Sequence, residues 1–219
     1  MKIYFISLFP ETIETYNSVG MMRKAQEIGA VEFHYLNLRD FGLGPRKQVD
    51  DSPYGGGDGM VLRAEPIVAA IDAAKRLAGQ ESIVILPTPR GNNYTQETAK
   101  KFATKQNNLI IVCPRYEGYD ERIVKYIDEQ ICIGSYVLTG GEIPAMIVAD
   151  SVVRLLPNVL GGAESVEKDS FQNDLSRIEH AQFTRPDVFE GESVPEVLKN
   201  GNHAEIDKWR EDNSRDTTA

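Results

Sequence analysis

Two apolar runs, Leu109 to Cys113 and Ile131 to Leu138, each lead directly into a glycine-bearing turn: Pro114-Arg115-Tyr116-Glu117-Gly118 and Thr139-Gly140-Gly141-Glu142. Uncharged, β-branched runs of this kind occupy the middle of a parallel sheet, where a strand is covered on both faces. In such sheets ligands bind just beyond the carboxyl ends of the strands, which is where both turns fall. Glycine there tolerates positive φ and lets the main chain approach a ligand closely, so its N–H and C=O groups become the contact surface. A Gly-Gly pair after a strand is also an ordinary turn, and taken alone it does not identify a ligand.

The rest of the chain alternates in the same way. Lys2 to Phe9 and Val31 to Leu38 read as strands, with helix between them from about Glu11 to Ile28. Ile67, Ala70, Ile71 and Ala74 recur at helical spacing and predict an amphipathic helix over Glu65 to Leu77, ahead of a strand at Ile83 to Leu86. Thr95 is placed to cap a helix running to about Lys105. Asp120 to Ile127 reads as a short helix and Glu142 to Leu156 as a longer one whose proline sits in the tolerant first turn. Repeated βα units predict an α/β fold with a mainly parallel sheet and helices on both faces. Gly42 to Gly59, rich in glycine, proline and aspartate, is too long a loop to be a passive connector. The expected organisation is a sheet domain over residues 1–160, a flexible linker over 161–176, and a small helical C-terminal domain over 177–219.

Composition narrows the function less. The chain has 33 acidic and 24 basic residues, a formal net charge of −9, so a general RNA-binding surface is not what its charge announces. Local basic candidates are Arg46-Lys47, Lys100-Lys101 and the scattered Arg154, Arg177 and Arg185. No run reaches the roughly 18 apolar residues of a membrane span, and no signal-peptide cleavage pattern follows Met1, so a cytoplasmic location is expected. Cys113 and Cys132 lie in apolar runs without C-x-x-C spacing and read as small buried hydrophobes. His34, His180 and His203 share no metal-ligand spacing, and no metal site is expected.

A set of motifs in fixed order carries the function. Tyr54-Gly-Gly-Gly-Asp-Gly-Met60, Cys113-Pro-Arg-Tyr-Glu-Gly-Tyr-Asp-Glu-Arg122, Ile133-Gly-Ser-Tyr-Val-Leu-Thr-Gly-Gly-Glu142, Arg154-Leu-Leu-Pro-Asn158, Lys168-Asp-Ser-Phe171, Phe183-Thr-Arg-Pro186 and Gly201-Asn-His-Ala-Glu205 follow one another. From Met1 to about Arg210 the chain resembles the bacterial tRNA (guanine-N1)-methyltransferase family of the SPOUT superfamily. The resemblance implies a deep trefoil knot, a homodimer with active sites at the subunit interface, and a C-terminal domain that binds tRNA. It implies methylation of N1 of the guanosine at tRNA position 37, just 3′ of the anticodon, with S-adenosylmethionine as methyl donor and Mg²⁺ assisting. A relative methylating a ribose hydroxyl and a non-catalytic nucleotide-binding module are the alternatives; the Asp169 linker and the C-terminal blocks favour the guanine enzyme.

Removing the N1 proton of guanine needs a base, and the charge that moves to O6 needs a cation. By resemblance these are Asp169 and Arg154. The cofactor is implied to lie among three loops. Pro87 and Thr88 belong to the first, and Pro114, Tyr116 and Glu117 to the second. The third holds Ile133, Gly134, Ser135, Tyr136, Val137 and Leu138, with Gly140 and Gly141 at its end. Glu117 is the carboxylate suited to the cofactor's cationic end. Two positions depart from the family pattern: Pro114 stands where glycine is more usual and lacks an N–H to donate, and Ser135 replaces the more usual aspartate.

Overall fold

The computed structural model describes residues 1–79, 81–104, 108–161, 169–172 and 174–216. They fall into two units, Met1–Gly161 and Gly162–Ala219. The first is built on five parallel strands in the order β2-β1-β6-β5-β7: β1 is Lys2–Ser7, β2 Glu32–Asn37, β5 Ser82–Asn93, β6 Asn108–Val112 and β7 Glu129–Cys132. Ile3 is the registration point, opposite Phe33 on one side and Leu109 on the other.

Burial explains why these segments are strands. Along β1, Ile3 and Phe5 belong to one core while Tyr4 and Ile6 belong to another, so successive side chains enter opposite layers. One layer is closed by α3 (Ala64–Ala78), which inserts Ile67, Ala70, Ile71 and Ala74, the side predicted from their spacing. The other is closed by α1 (Pro10–Asn17), α2 (Gly20–Glu27), α4 (Gln96–Thr104) and α5 (Glu142–Val153) through Ile13, Met22, Phe102, Val148 and Val152. A helix-covered parallel sheet is the expected α/β class.

Several boundaries differ from expectation for local reasons. The stretch expected as one helix from Glu11 is two, because Val19 turns extended between α1 and α2. The strand read from Ile131 to Leu138 stops at Cys132, and Gly134 with φ +152° opens a turn in its place. Asp120 to Ile127 forms only a 3-10 turn, Glu121–Tyr126, started by the Asp120 carboxylate accepting from the Arg122 N–H. Conversely β5 runs past Leu86 to Asn93: Pro87 and then Asn92 both stand opposite Ile131 of β7, and the residues between them bulge out. Gly91 makes this possible, since a Cβ there would lie 2.4 Å from the Ile131 nitrogen. The long glycine loop contains a short ribbon of β3 (Asp50–Asp51) with β4 (Val61–Leu62).

Among its described residues the second unit holds one α-helix, α6 (His203–Asp212), a 3-10 turn at Glu196–Leu198, and two ribbons, β8 (Arg177–Ile178) with β11 (Arg215–Asp216) and β9 (Val188–Phe189) with β10 (Glu192–Ser193). Besides the expected helical pieces, its described residues carry short two-residue pairings that escape detection by periodicity. Trp209 of α6 receives the edges of His180 and Phe183. Of the expected linker, residues 162–168 and 173 lie outside the described residues.

Tyr94, at the end of β5, joins the sheet to α5: its N–H donates to the Cys132 carbonyl at 2.8 Å and its hydroxyl lies 2.6 Å from Ser151 Oγ. Burial raises the phenol from its ordinary 10.0 to about 12, against the opposing hydrogen bond from Ser151. The folded state therefore holds this proton more tightly than the unfolded chain does, and its contribution to stability is complete below pH 10 and lost as pH rises toward 12. Between those values wild type is expected to lose about 2 kcal/mol more stability than Tyr94→Phe. Urea titrations at both pH values check this; parallel pH profiles would contradict it.

Candidate active site

The carboxyl ends of β5, β6 and β7 open onto a cavity of about 460 Å³. Three segments wall it: the bulge of β5, the turn after β6, and the turn between β7 and α5. Its lining includes Pro87 and Thr88, then Pro114, Tyr116 and Glu117, then Ile133, Gly134, Tyr136, Val137, Leu138, Gly140 and Gly141. Every residue expected in the three cofactor loops is thus in the wall except Ser135, which is exposed and lies outside the lining.

Close backbone approach shapes this wall. The Gly141 N–H donates to the Pro114 carbonyl at 2.8 Å, and a Cβ on Gly141 would meet Pro114 Cδ at 2.4 Å and Cys113 Cα at 2.7 Å. The missing N–H of Pro114 therefore costs nothing at this contact, because its carbonyl is what the partner needs. Gly134 with φ +152° has the Tyr136 ring 2.4 Å from where a Cβ would stand, and Tyr116 itself adopts φ +61°. Tyr136 closes its own turn by donating to the Ile133 carbonyl at 3.3 Å.

The turn after β6 is also tied to the long glycine loop. The Glu117 N–H donates to the Met60 carbonyl at 3.0 Å, and the Leu62 N–H donates to that of Gly118 at 2.9 Å. Gly59, at φ +84°, leaves the space that Glu117 fills: a Cβ would stand 2.6 Å from its Cγ. The Tyr119 hydroxyl donates to Thr88 Oγ1 at 3.2 Å, joining the second loop to the first, while Arg90 lies over the Tyr119 ring and pairs with Glu121 at 2.8 Å.

Behind the wall lies a buried ion pair that the sequence reading missed. Glu142, in the first turn of α5, accepts from Ser7 Oγ at 2.7 Å and stands 2.8 Å from Arg115 Nε, its side chain 3% exposed. Arg115 also donates to the Thr139 carbonyl at 3.2 Å and stacks on Phe9 at 4.8 Å. Burial together with the Glu142 charge pushes the neighbouring Cys113 thiol well above its ordinary range, with Arg115 opposing. Cys113 is an inert buried group, whereas Cys132 is half-buried and part of the cavity lining, a correction to its reading as a core hydrophobe.

Neither residue of the expected catalytic pair is among those that line this cavity. Arg154 is the half-buried C-cap of α5, twelve residues beyond Glu142, about 18 Å along the helix axis from the first turn that borders the cavity. Asp169 is half-buried in the second unit, where its carbonyl accepts from the Gln172 N–H at 3.3 Å. Among the described residues no three His, Cys, Asp or Glu side chains converge as metal ligands, so they offer Mg²⁺ no cage. Among them, too, no helix is long and apolar enough to cross a membrane.

Three comparisons bear on this geometry. The family described as tRNA (Guanine-1)-methyltransferase TrmD matches residues 1–219. The tRNA (guanine-N(1)-)-methyltransferase of Bacillus pumilus is 48% identical over 211 residues, covering 96% of this chain and 85% of that protein. The Bacillus subtilis protein of the same name is 46% identical over 211 residues, covering 96% and 86%. A crystal structure of tRNA (m1G37) methyltransferase from Aquifex aeolicus superposes with a TM-score of 0.79 at 36% identity, over 95% of this chain and 87% of that one.

Gly141→Ala is expected to lower stability by about 1–3 kcal/mol, because its methyl group meets backbone that cannot yield cheaply. A guanidinium titration measures this directly. An unchanged midpoint would mean that the two turns have slack between them.

Proposed function

The chain belongs to the TrmD family of tRNA (guanine-1)-methyltransferases, and on that premise we propose that it methylates N1 of the guanosine at tRNA position 37, immediately 3′ of the anticodon. The observation that carries this reading is the family match along the whole chain. The cavity at the strand ends supports it, since the glycine cradle and the Glu117 carboxylate suit S-adenosylmethionine. When bound there, that molecule supplies the methyl group. Tyr116, Tyr136 and Leu138 offer flat apolar surface for an adenine, with backbone polar groups between them. The trefoil knot of the family is part of the same reading, supported by the return of the chain from β7 at the sheet edge to α5, which packs against α4 and α1.

Asp169 acts as the base that takes the N1 proton, and Arg154 stabilises the negative charge moving to O6. The distance of Arg154 from its own cavity supports a composite site in a homodimer, each chain bringing Arg154 and Asp169 to its partner's cofactor. Exposed apolar side chains on the cavity side of the sheet support such a contact: Val137 is 93% exposed, and Ile143 and Ile147 project one turn apart from α5. The second unit, with Phe183 and Phe189 exposed, takes part in holding tRNA. The reaction places the enzyme in the cytoplasm with its substrate.

Purified protein with labelled S-adenosylmethionine and unmodified tRNA bearing G37 is expected to yield 1-methylguanosine at that position. Absence of transfer, or methyl on a ribose, would overturn the assignment. Asp169→Asn is expected to keep cofactor binding and lower the chemical step by on the order of 10²–10⁴, and Arg154→Ala by on the order of 10²–10³, in single-turnover assays. Unchanged single-turnover rates would remove either residue from the mechanism. Mixing Asp169→Asn with Gly141→Val chains tests the composite site. Each homodimer is nearly inactive, whereas a mixed dimer has one intact cavity facing one intact Asp169 and recovers about half of wild-type turnover if sites act independently. No recovery would mean that each site is built within one chain.

A further inference from the structure

Glu142 is a charge the chain has buried at a junction. Its carboxylate is reached from three separate segments: the end of β1 through Ser7, the turn after β6 through Arg115, and α5, which carries it. Each partner is held in turn, for the Phe9 N–H donates to Ser7 Oγ at 2.8 Å and Arg115 donates onward to the Thr139 carbonyl. Arg115 Nε and Glu142 Oε2 are both buried, and among the described residues neither makes a hydrogen bond, so their mutual charge is what compensates them. The 2.8 Å approach is an ion pair off the hydrogen-bond line, which makes each group dependent on the other. A buried pair replaced by apolar groups would serve stability as well or better. What the ionic version adds is direction, since a guanidinium fork fixes both the Glu142 and the Thr139 sides at once.

We propose that Glu142 is a positioning residue for methyl transfer: acting through Ser7 and Arg115, it fixes the Pro114–Gly118 and Thr139–Gly141 turns at the separation that S-adenosylmethionine requires. This rests on the cofactor assignment made above. None of its own atoms lines the cavity, whereas Arg115, Thr139, Gly140 and Gly141 all do. With Glu142 neutral, the buried Arg115 Nε is left without its counter-charge and the side chain leaves its place, and the Thr139 carbonyl is released with it. The consequence falls on cofactor affinity, while the tRNA-contacting second unit is untouched.

The test compares wild type with Glu142→Gln, Arg115→Met and the double variant, by S-adenosylmethionine calorimetry and by KM for each substrate. Each single change is expected to weaken cofactor binding about tenfold, the usual consequence of stranding one buried partner. The KM for tRNA is expected to stay within about twofold. The double variant is expected to be no weaker than the worse single variant, since residues acting as a unit are non-additive. Multiplying effects, or a lowered melting temperature with unchanged cofactor affinity, would reduce Glu142 to a structural role and overturn the proposal. Should Glu142→Gln fail to fold, Ser7→Ala decides: a several-fold loss of cofactor affinity supports the proposal and wild-type affinity refutes it. Wild type that binds no S-adenosylmethionine would overturn the cofactor reading itself, whereas tight wild-type binding with unaffected variants overturns only the role of Glu142.

Discussion

One backbone hydrogen bond, from the Gly141 N–H to the Pro114 carbonyl, determines how the ends of this sheet can come together. It forms only because residue 141 lacks a Cβ, which would otherwise stand 2.4 Å from Pro114. From it follows the start of α5 at Glu142, directly behind the turn, and the burial of that carboxylate against Ser7 and Arg115. The cavity is the space left when two turns are locked this close and the β5 bulge, itself dependent on Gly91, leans over them. Packing of the sheet core positions the strands, but glycine geometry at their ends decides that an opening of about 460 Å³ remains.

The acidic composition and an RNA substrate are reconciled by the state of the cations. Lys47 pairs with Asp40, Lys101 with Glu129 and Arg177 with Glu211, all at 2.7–2.9 Å and each with its cation at least 44% exposed. Exposed pairs of this kind are worth only about 0–1 kcal/mol, so a phosphate can take over such a cation at little cost. The Arg115–Glu142 pair is of a different kind, because its carboxylate is 3% exposed and holds the guanidinium from inside the protein. Net charge therefore reports neither the substrate nor the site; accessibility of each cation does.

What was legible in the sequence was what local pattern controls. β1, β6 and α3 declare themselves because both faces of the strands, and one face of the helix, are apolar at the right period. The residues that motif order pointed to as cofactor loops all line one cavity except Ser135. The failures were non-local or stereochemical. Ile131 to Leu138 has uniform β propensity, yet Gly134 turns the chain after Cys132. Two prolines in β5 argue against a strand, but the segment lies beside β7 and resumes pairing after its bulge. The Ser7–Glu142–Arg115 junction joins residues far apart in sequence; a glutamate opening the apolar run Ile143 to Ala149 was its local trace.

α5 connects these levels. Between Glu142 and Asp150 it is uninterruptedly apolar, a pattern that normally marks a buried helix, yet Ile143 and Ile147 remain exposed in the single chain. In the proposed dimer it is this face that a second copy covers. The same helix carries Glu142 at one end and Arg154 at the other, and Arg154 as C-cap gains from the negative end of the helix dipole. A rigid rod about 18 Å long then separates the residue that shapes one cavity from the residue proposed to act in the next. Under the proposed dimer, the length of α5 sets the spacing between two active sites, and any disturbance of its first turn is felt first by the cofactor and only through the partner by the guanine.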